Sequence, residues 1–99
     1  MKIPDKIKIG GHWITVEIVG DKELPDDLGS YTGWCKVIKI NRTAPKTTQI
    51  ETFLHEIFEA IGKAYEVKIK HQDLTILSTA LFQIIRDNKL DFRDNKSVT

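Results

Sequence analysis

The chain has 99 residues, the length of a single small domain with one hydrophobic core. Its composition, 40% hydrophobic and 29% charged residues, is typical of a globular protein. It excludes collagen-like, mucin-like and wholly disordered chains. Fifteen basic side chains against fourteen acidic ones leave a net charge of +1, which argues against a protein that binds nucleic acid mainly through its phosphates.

The sequence contains no segment that predicts secretion or insertion into a membrane. Its apolar runs are far shorter than the roughly 18 residues of a membrane span, and residues 1–6 are too polar for a signal peptide. The single cysteine, Cys35, cannot form a disulfide within the chain, which is compatible with a reducing compartment. We therefore expect a cytoplasmic protein with no membrane contact.

The N-terminal part of the chain has the pattern of β-strands. Residues 6–9 alternate polar and apolar side chains, and residues 13–19 are rich in β-branched ones. Two glycines between these segments predict a hairpin. Residues 20–29 are polar and predict a loop, residues 31–40 predict the next strand, and residues 41–46 break it.

A helical period follows this break. Apolar residues recur at i, i+3, i+4 and i+7 and predict an amphipathic helix that ends near Tyr65. Thr47 or Thr48 can cap its start, and Glu51 lies three residues after Thr48, as a capping box requires. The predicted apolar stripe consists of Ile50, Phe53, Leu54, Ile57, Phe58, Ile61, Ala64 and Tyr65.

A second helix is predicted from about Gln72 to Asp87, after a short connection at residues 66–70. Strands followed by helices predict an α+β fold, a small antiparallel or mixed β-sheet packed against two helices. This single domain is expected to span residues 1–92, with residues 93–99 as a polar, flexible tail. The predicted inward face of the second helix is Leu74, Leu77, Leu81, Ile84 and Ile85, and Leu90 and Phe92 are expected to dock after it.

The first helix carries a candidate metal site in the sequence His55-Glu56-Ile57-Phe58-Glu59. Residues at i and i+4 share a helix face, so His55 and Glu59 can reach one metal ion while Glu56 projects beside it. On a helical wheel all three lie outside the apolar stripe, on the face turned away from the core or along its border. An ordinary surface pair fits the same spacing, and a third ligand is needed to distinguish the two.

His71 is the candidate for that third ligand. It stands at the predicted start of the second helix, where the helix dipole disfavours imidazolium and so favours the neutral form that metals bind. A polar N-terminal residue without a special role fits the same position. Asp73 is an alternative ligand but is more typical of a helix cap, and His12 is expected at the surface of the hairpin.

This order of elements resembles the zincin metallopeptidases in their smallest form, the minigluzincins. Those proteins have strands, then a helix with a His-Glu-x-x-(His or Glu) motif, then a second helix with the third ligand. The chain also resembles small phage and prophage proteins with a Leu-His-Glu-x-x-Glu-Ala core, a histidine before a helix and a Leu-(Phe or Tyr)-Gln-x-x-Arg-Asp-Asn stretch. The corresponding residues here are Leu54 to Ala60, His71, and Leu81 to Asn88.

The resemblance implies that His55, Glu59 and His71 bind zinc (Zn2+) and that Glu56 is the general base of peptide-bond hydrolysis. The substrate would be a peptide or protein, added as a strand to a sheet edge formed by the segment that ends at Ile40. The expected location is the cytoplasm of a phage-infected or prophage-bearing bacterium.

The sequence departs from the known families in two ways. The ligand order here is His, Glu, His, whereas gluzincins have His, His, Glu. Tyr65 stands where metzincins have their third histidine, so the metzincin pattern fails at that ligand. Two alternatives therefore stay open: a catalytically inactive zinc-binding scaffold, and a small regulatory module that binds a partner without metal. Near-zero net charge and the absence of helix-turn-helix spacing argue against a nucleic-acid partner.

Overall fold

The computed structural model describes residues 2–93. Four strands precede two helices, and together they confirm the predicted α+β class with a mixed sheet. Neither helix in the described part of the chain is long and apolar enough to cross a membrane. The elements are β1 (Lys6–Ile9), β2 (His12–Val19), β3 (Gly29–Thr32), β4 (Val37–Asn41), α1 (Lys46–Tyr65) and α2 (His71–Asn88).

The sheet is built from two hairpins that meet at a parallel pair. Its strand order is β1-β2-β4-β3, with β2 and β4 parallel and both outer pairs antiparallel. The predicted first hairpin is confirmed: Gly10 and Gly11 adopt φ values of 58° and 84°, as a tight turn with positive φ at both central positions requires. The sheet therefore has β1 and β3 at its edges.

The prediction of a single strand over residues 31–40 is wrong. A turn at residues 33–36 divides it into β3 and β4, and Lys36 adopts a φ of 57°. β4, which ends the predicted segment, lies inside the sheet because it pairs with β2 on one side and β3 on the other. The strand expected at the sheet edge is therefore interior, and β3 takes the edge position.

Helix α1 lies between the sheet and α2. The inner face of the sheet presents Ile14, Val16, Ile38 and Ile40, which pack against Phe53 and Ala60 of α1 in one core cluster. A second cluster joins Ile50 and Leu54 of α1 to Phe82 of α2. Because α1 has packed neighbours on both sides, only part of its surface is left for a site.

The start of α1 differs from the predicted capping box. The N-cap residue is Pro45, no side chain caps the helix, and Thr48 already lies inside it. Gln49 fixes the entering chain instead, because its Nε2 donates hydrogen bonds to the carbonyl oxygens of Arg42 and Ala44 at 3.3 and 2.9 Å. Proline pre-sets the backbone at a helix start, so the helix can begin without a hydroxyl cap.

The buried face of α2 is narrower than predicted and slightly rotated. Leu74, Ser78 and Phe82 are buried, whereas Leu77 and Ile84 are 47% and 43% exposed. The reason is that α2 packs against α1 alone and not against the sheet, so it covers only one ridge of side chains spaced four apart. Phe92 is 90% exposed and does not dock, and the predicted tail lies, apart from Arg93, outside the described residues.

Candidate metal centre

Two of the predicted ligands meet on α1. His55 and Glu59 lie one turn apart, and His55 Nε2 is 3.8 Å from Glu59 Oε2. Both side chains are half-buried, which limits the number of rotamers they can adopt. The helix itself fixes this pair, because its side chains at i and i+4 lie one above the other.

His71 comes to the same place from α2. The chain leaves α1 at Glu66, whose left-handed backbone (φ 56°) ends the helix, and Val67 N donates to Gly62 O at 2.9 Å. After this turn, α2 begins at His71 and runs back along the N-terminal half of α1. The His71 ring centroid lies 4.8 Å from that of His55, with the ring planes at 63°.

The three ligand atoms suit a metal ion. One ligand atom from each of His55, Glu59 and His71 lies within 4.8 Å of the others, and among residues 2–93 no other group of three such side chains converges this closely. In a tetrahedral zinc site with bonds of about 2.0–2.2 Å, neighbouring ligand atoms are roughly 3.3 Å apart. To reach that spacing, the exposed His71 side chain must move toward the other two. This group can hold a metal ion.

The protonation of His55 favours metal binding. Burial lowers the pKa of His55 below its usual value, the neighbouring His71 lowers it further, and Glu59 raises it. His55 is therefore neutral at pH 7, and its contact with Glu59 joins a carboxylate to a neutral imidazole rather than to a cation. A neutral imidazole keeps a lone pair for the metal, and no proton has to be displaced.

Glu56 is more buried than the helical wheel predicted. The wheel expected it on the face turned away from the core, but it is 8% exposed because β3 and the loop before it cover this side of α1. A Cβ atom built on Gly29 would lie 2.5 Å from Thr52 Cγ2 and 3.6 Å from Glu56 Cγ, so only glycine lets the strand approach this closely.

This burial changes the acidity of Glu56. Desolvation, with smaller contributions from the negative charges of Glu59 and Asp27, raises the pKa of Glu56 to about 7. A carboxyl group with that pKa can accept and release a proton near neutral pH, which is what acid–base chemistry requires. Glu56 therefore has the properties of a proton-transfer group beside the metal ligands.

A cleft of about 400 Å³ opens beside this group, and we call it the acidic cleft. His55, Glu56 and His71 line it on the helical side, and hydroxyl groups of both helices surround them. The opposite wall is the loop before β3, which contributes Asp26 and Asp27. Glu59 lies outside this cleft, in an adjoining groove, so the metal ligands stand at the cleft's border.

Sequence reasoning missed this loop wall and the residue that fixes it. Asn41 is 3% exposed, and its Nδ2 donates hydrogen bonds to Asp21 Oδ1, Leu24 O and Asp27 O at 3.1, 3.3 and 3.0 Å. Its Oδ1 accepts from the backbone N and Oγ1 of Thr43. The only signal in the sequence was an asparagine at a strand end two residues before a threonine, which is typical of an Asx turn.

The other candidates from the sequence lie outside the metal group. His12 is exposed at the start of β2, and Asp73 is exposed in the first turn of α2. Neither belongs to the His55, Glu59 and His71 group. The structure therefore brings together the three ligands preferred from the sequence and leaves the alternatives apart.

Comparisons with protein-family models, with curated proteins and with solved structures gave no match to this chain. The resemblance to zincins accordingly rests on the motifs of the sequence. The possible metal site rests on the geometry of His55, Glu59 and His71.

Proposed function

We propose that this chain is a zinc-dependent metallopeptidase-like protein of the zincin type that hydrolyses peptide bonds. One observation carries the proposal: His55, Glu59 and His71 converge while Glu56, with a pKa of about 7, faces the adjoining cleft. Two imidazoles and one carboxylate are a known ligand set of open catalytic zinc sites. As the resemblance to phage proteins implies, we propose the cytoplasm of a bacterial host as its location.

Each residue then has a separate task. His55 and His71 would offer imidazole nitrogens to the metal and Glu59 a carboxylate, and zinc, when bound, would supply a Lewis acid and lower the pKa of water. Glu56 takes a proton from the attacking water on its carboxylate and returns it to the nitrogen of the leaving amine. Its raised pKa suits both transfers, because the group is half-protonated near neutral pH.

Strand β3 supports a peptide as the substrate. It pairs with β4 on one side only, so its other edge offers backbone donors and acceptors to an added strand. β3 begins at Gly29, which lines the acidic cleft, so a peptide on this edge passes Glu56. The role first expected for the segment ending at Ile40 thus passes to β3 in this proposal.

A second candidate is a zinc-binding scaffold without catalysis, and one observation favours it. Among residues 2–93 no tyrosine, lysine or arginine lines the acidic cleft, so this part of the chain places no phenol, ammonium or guanidinium group there to stabilise an oxyanion. Tyr31 lines a different groove, and Tyr65 is exposed at the end of α1. In this candidate Glu56 is a buried acid without a reaction.

The test combines metal analysis with one conservative variant. We expect about one zinc per chain after titration, and cleavage of a mixed peptide library detected by mass spectrometry. Glu56→Gln should keep the zinc and lower cleavage by at least about 100-fold, because it removes proton transfer and leaves the ligands in place. Glu17→Gln, exposed on β2 and outside the cleft, is the control and should retain cleavage.

Each failure has its own meaning. Zinc binding without cleavage by the wild-type chain would leave the scaffold as the function. Absence of metal uptake would reject both candidates. Cleavage that survives Glu56→Gln would remove Glu56 from the mechanism.

A further inference from the structure

The acidic cleft has a concentration of carboxyl groups. Asp26, Asp27, Glu51 and Glu56 all line it, and among the residues that the structure describes no lysine or arginine does so. The chain as a whole is balanced, at +1, so this concentration of carboxylates is local. A cleft lined by one sign of charge attracts ligands of the opposite sign.

Glu56 is an independent indication that a ligand belongs here. It is 8% exposed, it faces the cleft, and no hydrogen bond or ion pair reaches it from the described residues. Among these residues no fully buried side-chain oxygen or nitrogen lacks a partner, so the Glu56 carboxylate still opens onto the cleft. A mostly buried carboxylate without donors is costly, and a ligand that brings donors removes that cost.

The wall opposite Glu56 is held in one place. Asn41 donates to Asp27 O at 3.0 Å, and Asp27 N donates to Leu24 O at 3.1 Å. Asp26 adopts a left-handed backbone with a φ of 64°. These contacts use main-chain atoms of Asp27 and leave its carboxylate free to meet a ligand. Because the loop is already ordered, binding does not have to bear the entropy cost of ordering it.

We propose that the acidic cleft selects peptides with a cationic group, and that Asp26 and Asp27 determine this specificity. The cation is a lysine or arginine side chain or a free N-terminal amine, since both bring the same chemistry. The proposal rests on the proposed function for the claim that the ligand is a peptide. It goes beyond that function by naming which peptides bind.

The test measures binding rather than cleavage. The full chain is kept in EDTA, and N-acetylated nine-residue peptides with a C-terminal fluorophore differ only in a central pair: Lys-Lys, Gln-Gln or Glu-Glu. A fourth peptide has Gln-Gln and a free N-terminus. By fluorescence anisotropy we expect Lys-Lys or the free-amine peptide to bind at least about tenfold more tightly than Glu-Glu, and the preference to fall as salt screens the charges.

Two double variants locate the effect. Asp26→Asn with Asp27→Asn should bring the preference close to one, and circular dichroism should stay unchanged because the loop is held by main-chain bonds. Asp5→Asn with Glu17→Gln removes the same charge from outside the cleft and should keep the preference. If the cleft variant does not fold, the salt dependence of the wild-type preference still tests the proposal.

The outcomes separate this proposal from the proposed function. Equal affinity for all peptides, no binding to any of them, or a preference unchanged in the folded cleft variant would overturn it. Zinc-dependent cleavage without a preference for cations would keep the function and overturn the specificity. A cationic preference without cleavage would keep the specificity and reject the peptidase.

Discussion

Two grooves along α1 differ in what their walls can do. The larger, of about 540 Å³, lies near the C-terminal end of α1 and is lined by His12, Lys36 and Lys63 with two aromatic rings; we call it the basic groove. The acidic cleft is smaller, at about 400 Å³, and contains His55, Glu56 and His71. The smaller cavity, the acidic cleft, therefore contains the groups suited to metal binding and proton transfer.

The difference lies in which elements supply the side chains. The basic groove is formed by parts of two turns, the sheet and the end of α1, and its Trp34 is 89% exposed. The acidic cleft takes His55, Glu56 and His71 from two packed helices, and its loop wall is fixed by a buried asparagine. Packed helices hold side chains in a defined geometry, which a metal or a reaction needs and a large open surface does not provide.

The sharpest test of this contrast exchanges one histidine in each groove for alanine. His71→Ala should weaken zinc binding by about 100-fold or more, because losing a group that merely orients a ligand costs 10–100-fold and we propose His71 as a ligand itself. His12→Ala in the basic groove should leave the affinity unchanged. Competition with a chromophoric chelator measures both.

Asp73→Ala is a second control, because Asp73 lies near His71 in sequence but outside the metal group. Unchanged zinc affinity in His71→Ala would remove His71 from the site. His55 and Glu59 would then remain as a pair without a third partner, and the contrast with the basic groove would lose its basis.

We expect a smaller effect, on the free energy of unfolding, when one glycine in each groove is replaced by alanine. Gly29→Ala should lower the free energy of unfolding by about 1–3 kcal/mol, because its Cβ would lie 2.5 Å from Thr52 Cγ2 and 3.0 Å from Lys39 O. Gly33→Ala in the basic groove would meet the flexible Lys63 side chain at 3.3 Å and Tyr31 Cε2 at an ordinary 3.7 Å, and should cost less. Urea denaturation compares the two variants. Equal losses would show that the wall of the acidic cleft is no tighter than that of the basic groove.

The smallest expected effect depends on pH. The pKa of Glu56 is about 7 in the folded chain against an ordinary 4.5, so the folded chain holds this proton more tightly than the unfolded one. The resulting stability is full below about pH 4.5 and is lost as pH rises through 7. In EDTA at about pH 8, Glu56→Gln should therefore unfold with a free energy higher than wild type by about 1–2 kcal/mol.

That gain should vanish near pH 4.5, where wild-type Glu56 is protonated as well. A constant difference across the pH range would mean that the substitution acts through packing and not through the proton.

Local patterns in the sequence predicted much of this molecule. The alternation in β2 and the helical period of α1 depend on neighbours in the chain, and both elements formed where expected. The pairing of His55 with Glu59 follows from helix geometry alone. His71 was predicted correctly as their neighbour because the short connection between the helices brings α2 back along α1.

The remaining features depend on contacts between distant segments. Glu56 is buried because β3 crosses α1 at Gly29, and a helical wheel contains no information about that strand. Asp27 reaches the cleft because Asn41 holds its loop, a contact between residues 14 apart. Leu77 is exposed because α2 packs against one partner, α1. The sequence pattern had predicted a wider buried face.

The parallel pairing of β2 with β4 also determines the order in which the molecule can assemble. The two hairpins and the α1–α2 pair each join neighbouring segments, which favours rapid formation. The sheet closes only when β4 docks beside β2 across the whole intervening loop and β3, a slower step with a larger loop-closure entropy. His55, Glu59 and His71 all belong to the helical pair, whereas the wall at Asp27 depends on Asn41 at the end of β4. The topology therefore predicts that the three candidate metal ligands meet before the wall of the cleft is complete.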